Sequence, residues 1–115
     1  MPVSSPEEYC ETILHIARYL LAKYKVVIFA TTTPVCITHP DLTNDRIRQY
    51  NALVVPRLKE TGIIINDLHT LVAADIDRYI REDDMIHLTE NGIAVCAQQV
   101  ANAIRAANLS LEKTP

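Results

Sequence analysis

Asp84 and His87 stand three residues apart in the polar stretch Asp83-Asp84-Met85-Ile86-His87-Leu88-Thr89-Glu90-Asn91-Gly92, a spacing that could move a proton. In a short turn the Asp84 carboxylate can accept the Nδ1 proton of His87. Fixing that nitrogen leaves Nε2 with a free lone pair, the form in which an imidazole works as a general base. Asp-x-x-His alone also describes an ordinary solvated loop at a helix entry, so the surrounding elements have to separate the two readings.

The remaining reactive groups are dispersed. Cys36 follows a strand end and could face the same edge as His87, although a small apolar loop cysteine is the commoner case. His39 and His69, taken with Asp84 and His87, show no recognisable ligand spacing, so neither a metal nor a cofactor is expected. Neither apolar strand runs into a glycine-rich phosphate loop, which argues against nucleotide binding. His15 falls on the polar side of a helical pattern. Thr31 to Thr33 could line a site, or could satisfy backbone groups where a strand ends.

The chain of 115 residues is long enough for one compact domain with a modest core. Its 49% hydrophobic and 22% charged residues fit an ordinary folded protein rather than a disordered one. A net charge of −3 without a basic cluster argues against nucleic acid as a partner. The longest apolar run, Val26 to Ala30, is strand-sized and far too short to span a membrane. The first five residues lack the apolar core of a secretory signal. Three cysteines, widely spaced and forming no Cys-x-x-Cys pair, support neither a disulfide framework nor a zinc site. Reduced thiols and a cytoplasmic setting are the expectation, with Cys10 and Cys96 as small core residues.

The elements that must position the pair follow from periodicity. Ser5-Pro6-Glu7-Glu8 predicts a capped helix start, with Tyr9, Ile13, Ala17, Leu20 and Tyr24 as its apolar stripe to about Lys23. Val26 to Ala30 predicts a strand covered on both faces in a parallel sheet. Thr43-Asn44-Asp45 opens a second helix, marked by Ile47, Tyr50, Leu53, Val54 and Leu58 and closed by Gly62, with Pro56 expected to kink its last turns. Ile63-Ile64-Ile65 begins a second strand, and Thr70 to Glu82 is helical in propensity. A last helix starts near Thr89 with the stripe Ile93, Cys96, Ala97, Val100, Ile104 and Ala107, and the residues after Ala107 are expected to fray. Helices alternating with strands make an α/β fold with parallel strands. Two strands leave sheet edges open, so a second copy of the chain, or a missing part of the fold, is expected to cover the strand at Val26.

Four segments together, Val26-Val27-Ile28-Phe29-Ala30-Thr31-Thr32-Thr33-Pro34-Val35, Tyr50-Asn51, Ile65-Asn66-Asp67-Leu68 and Asp84-Met85-Ile86-His87-Leu88-Thr89 with Gly92, resemble the SGNH (GDSL-type) esterase and lipase family. The resemblance runs from roughly Ser5 to Ala107. It implies that residues 1–115 form a single partial domain, the C-terminal half of a flavodoxin-like α/β/α sandwich lacking the N-terminal strands. It also implies that His87 is the general base, Asp84 the carboxylate that orients it, and a carboxylic ester the substrate. The family's Gly-Asp-Ser nucleophile sequence and its Gly-x-Asn-Asp block are absent. The only glycines are Gly62 and Gly92, and the only serines Ser4, Ser5 and Ser110. Each missing oxyanion donor alone costs about 10²–10³ in rate, so the chain by itself is not expected to hydrolyse esters. The alternative expectation is a non-catalytic α/β module that self-associates.

Overall fold

A computed structural model of the chain describes residues 5–36 and 43–112; His39 lies outside them. Helix α1 (Pro6–Leu21) begins as its sequence dictates. Ser5 Oγ accepts the Glu8 amide proton at 3.1 Å, and Pro6 occupies the first turn, where no amide donor is needed. Its buried stripe is Cys10, Leu14 and Ala17, with Tyr9, Ile13 and Leu21 alongside. The expected stripe is therefore rotated by about one residue. The helix stops short of Lys23, and Tyr24 stays in solvent. Tyr9 sits at the margin because its hydroxyl shares a 3.0 Å hydrogen bond with Thr32 Oγ1 and cannot be sunk into the core.

Strands β1 (Ile28–Ala30) and β2 (Ile64–Asn66) pair in parallel, with Ile28 opposite Ile64, and helix α2 (Asn44–Glu60) connects them. The chain is thus mixed α and β with parallel strands. The expectation of a strand covered on both faces is corrected. Val27, Phe29, Ile63 and Ile65 pack against α1 and α2, but Ala30 and Ile64 are exposed. The C-terminal helix (Glu90–Glu112) reaches β2 and makes no comparable contact with β1.

Helix α2 shows both of its sequence signals. Thr43 Oγ1 accepts the Arg46 amide at 3.2 Å. At the far end Gly62 takes φ +90°, its amide bonding the Lys59 carbonyl at 3.1 Å while that of Ile63 bonds the Leu58 carbonyl at 3.3 Å. These two bonds are a Schellman motif, which needs a left-handed residue where Gly62 stands. Pro56 lies inside the helix on its exposed side.

The single helical section expected over Thr70–Glu82 is two short helices, α3 (Leu68–Ala73) and α4 (Ile76–Tyr79). Helix α3 starts early because Asp67 caps it through the Thr70 amide, and Asp75, at φ −155°, breaks the run. Helix α5 (Glu90–Glu112) continues well past Ala107. Its expected packing stripe holds at Cys96 and Ala107, which are buried, and fails at the other four positions. Gly92 and Cys96 are buried and Val95, Gln99 and Ala103 half-buried, whereas Ile93, Ala97, Val100 and Ile104 are exposed. The reason is local: a Cβ at Gly92 would run into the Tyr79 carbonyl oxygen, so the side of α5 that carries only hydrogen there is the one laid against α4. Two apolar clusters result, one between α1, α2 and the sheet, the other among α3, α4 and α5. No helix of the described residues is long and apolar enough to cross a membrane.

Candidate functional site

Residues 81 to 88 form a loop pinched at its base, where Ile80 and Leu88 form an antiparallel bridge and the Arg81 amide bonds the His87 carbonyl at 2.8 Å. Thr89 anchors the outgoing end. Its amide bonds the Tyr79 carbonyl at 2.8 Å, its hydroxyl donates to the Arg78 carbonyl at 2.6 Å, and the same oxygen accepts the Gly92 amide at 3.1 Å to start α5. At the tip Met85 holds φ +64°, a left-handed conformation that folds the backbone back on Asp84.

That turn assembles the pair. Asp84 Oδ1 accepts the amides of Ile86 at 3.0 Å and His87 at 2.9 Å, and Oδ2 faces His87 Nδ1 at 2.6 Å. A carboxylate can only accept here, so Nδ1 carries the proton in the neutral ring and Nε2 carries the lone pair. The Ile86 amide, then the amide and ring of His87, hold the Asp84 carboxyl far below the usual carboxylate range. The His87 side chain is 77% exposed and that of Asp84 36%, so the base is oriented but open to solvent. Asp83 pairs with Arg81 and also caps the Asp84 amide at 2.9 Å.

The loop is tied to the segment leaving β1. The Cys36 amide bonds the Met85 carbonyl at 3.0 Å, and Cys36 Sγ donates to the Arg81 carbonyl at 3.4 Å. This puts Cys36 in the neighbourhood of the pair but in the wrong state for a nucleophile. Burial, followed by the charges of Glu82, Asp77 and Asp84, raises its thiol pKa, whereas a reactive cysteine needs it lowered.

A second polar network sits directly at the strand ends. Thr31 Oγ1 donates to Asp67 Oδ1 at 3.0 Å and accepts the His69 amide at 2.9 Å. Asn51 clasps Thr32 from both sides, accepting its amide and donating to its carbonyl, each at 3.0 Å. His69 Nδ1 lies 3.1 Å from that same carbonyl, so it donates and leaves Nε2 as acceptor. Burial pushes the His69 pKa down, and Arg48 adds to this against the pull of Asp67. Burial works to raise the Asp67 carboxyl, but hydrogen bonds from Thr70 and Thr31 outweigh it and hold the group below its usual value. Thr31 and Thr32 thus satisfy the polar groups at the strand exit. A cleft of about 900 Å³ is lined here by Thr31, Arg48, Asn51, Asp67, His69 and Thr70 against apolar walls. None of residues 83–87 lines it, so the oriented base and this cleft are separate. The sequence marked Asn51 and His69 only by their neighbours; their meeting at Thr32 depends on a crossover that no local pattern encodes.

His15 is exposed and Cys10 and Cys96 are buried, as expected from the helical patterns. Among the described residues no group of three or more His, Cys, Asp or Glu side chains could hold a metal ion. No protein-family model matches the chain, and no curated protein matches it either.

Proposed function

We propose that this chain is the C-terminal portion of an SGNH-type ester hydrolase, supplying the general base and its orienting carboxylate to a reaction whose serine nucleophile and oxyanion donors belong to polypeptide beyond these residues. One observation carries the reading: the 2.6 Å contact between Asp84 Oδ2 and His87 Nδ1, made while the other carboxylate oxygen is held by two backbone amides. The two amide bonds are those of an Asx turn, and they leave the second carboxylate oxygen aimed at the ring. In the proposed reaction His87 Nε2 takes the proton from a serine hydroxyl as that oxygen attacks the ester carbonyl, and Asp84 stabilises the imidazolium that forms. The ring then returns the proton to the leaving alcohol and activates the water that releases the acid.

The test is p-nitrophenyl butyrate hydrolysis by the natural full-length product. His87→Ala is expected to lower kcat by roughly 10²–10⁴, and undiminished turnover would refute the role given to His87. The 115-residue chain alone is expected to be no faster than free imidazole at equal concentration. A non-catalytic module remains the second reading, favoured by the exposure of Ala30, Ile64 and the α5 face, and an inactive full-length product would support it.

A further inference from the structure

The turn that carries Asp84 and His87 is held from outside by Cys36, on the segment leaving β1. A trans peptide points its carbonyl and its amide in opposite directions, so bonds at both ends fix the tilt of the whole plane. The plane between Met85 and Ile86 is gripped in this way. Its carbonyl accepts the Cys36 amide at 3.0 Å, and its amide donates to Asp84 Oδ1, also at 3.0 Å. The Cys36 thiol reaches the Arg81 carbonyl at 3.4 Å, the same oxygen that takes the Met85 amide at 3.0 Å. A single residue thus touches the loop both where the chain enters it and at its tip. Cys36 is itself set by packing against Val72, Ile80 and Cys96. Met85 sits at φ +64°, a region that residues other than glycine avoid, so the tip needs support of this kind.

We infer that Cys36 is a positioning residue for the Asp84–His87 pair, acting through the Met85–Ile86 peptide and not as a nucleophile. The chain of contacts is short. Cys36 holds the peptide, the peptide presents the Ile86 amide to Asp84 Oδ1, and the carboxylate so held keeps Oδ2 2.6 Å from His87 Nδ1. The Ile86 amide is also the first of the causes that hold the Asp84 carboxyl low, so loosening that peptide weakens the charge that orients the ring. The raised thiol pKa of Cys36 suits this role. A thiolate has no proton to donate, and the contact with the Arg81 carbonyl needs one. That His87 then serves as a base rests on the hydrolase reading, whereas the geometry of the pair does not.

Two readouts on the 115-residue chain test it: solvent exchange of the Ile86 amide, and the tautomer of neutral His87 by long-range ¹H–¹⁵N correlation. Cys36→Ser keeps both donors and is expected to match the native chain. Cys36→Ala deletes the thiol bond, so Ile86 exchange is expected to rise roughly threefold and some Nε2–H tautomer to appear. Cys36→Pro deletes the amide bond as well, with exchange expected to rise about tenfold or more and the tautomer to shift further. Unchanged Ile86 exchange and His87 tautomer in Cys36→Pro, with a native circular dichroism spectrum, overturn the inference. If that variant loses the native spectrum, the other two decide: equal values in Cys36→Ala and Cys36→Ser overturn it. Activity separates this role from the hydrolase reading. In the natural full-length product Cys36→Ala should lower kcat for p-nitrophenyl butyrate several-fold at unchanged KM, and Cys36→Ser should restore it. A full-length product without esterase activity, in a chain whose Ile86 and His87 respond as expected, refutes the hydrolase reading and leaves the positioning role standing.

Discussion

At the scale of single residues, the orientation of His87 is the outcome of one carboxylate doing three things. Asp84 stays ionised, shapes the turn through two amides and fixes the tautomer through the ring. Replacing it by a carboxamide keeps the shape and inverts the ring contact, because an NH₂ facing Nδ1 must donate. In Asp84→Asn the neutral His87 ring is therefore expected to carry its proton on Nε2 rather than Nδ1. Long-range ¹H–¹⁵N correlation reads this directly, and an unchanged tautomer would show that Asp84 does not set it. His69 gives a stability effect of definite sign. Its folded pKa lies below the ordinary 6.5, so the unfolded chain binds the proton first as the pH falls. Stability from this group is complete above about pH 6.5 and declines through the interval down to the folded pKa. The urea midpoint of the native chain should fall between about pH 7 and pH 5, and fall less in His69→Gln, whose amide can still donate to Thr32. The lowered carboxyls of Asp67 and Asp84 do not confuse this window, since they titrate below their ordinary 3.8.

At the scale of elements, the two glycines have different physical roles. Gly62 is needed for its backbone angle: at φ +90° an added methyl meets nothing within 4 Å, so Gly62→Ala costs only the left-handed penalty, about 1 kcal/mol. Gly92 is needed for space. An added methyl there collides with the Tyr79 carbonyl oxygen, which also accepts the Thr89 amide. Gly92→Ala is therefore expected to cost more, roughly 1–3 kcal/mol, by pushing α5 off α4 and loosening the anchor behind His87. Denaturant titration compares the two, and a Gly92→Ala loss no larger than that of Gly62→Ala would contradict this account. The break at Asp75 belongs to the same scale, since dividing α3 from α4 lets the chain turn and deliver loop 81–88 toward Cys36.

At the scale of the whole molecule, too few strands support too many apolar faces. The Cα radius of gyration is 15.4 Å and the extents 50 × 31 × 19 Å, against about 13 Å for the radius of a compact domain of this length. The core is split into two clusters rather than one, and the apolar seam of α5 borders solvent. A chain in this condition gains stability from whatever covers it. If a second copy covers the open sheet edge, the melting temperature must rise with protein concentration by mass action. A melting temperature that is independent of concentration in the native chain would count against the pairing.

What the sequence determined by itself is everything set by neighbours along the chain. The caps at Ser5 and Thr43, the glycine stop at Gly62 and the Asp84–His87 turn were all readable, because the interacting groups lie within a few residues and covalent geometry brings them together. The burial of Cys10 and Cys96 was readable too, since a helix of fixed pitch has a definite inner face. The side of α5 that is buried was not. Ile93, Val100 and Ile104 outrank Gly92 and Gln99 in hydrophobicity, but the close approach of α5 to the Tyr79 carbonyl admits only a residue without a side chain, and that approach exists only once α4 has been placed. The same holds for Asn51 and His69 at Thr32, which are brought together by the crossover from β1 to β2. Tertiary structure alone decided those contacts, because they depend on where backbones meet in space and not on the affinity of any residue for water.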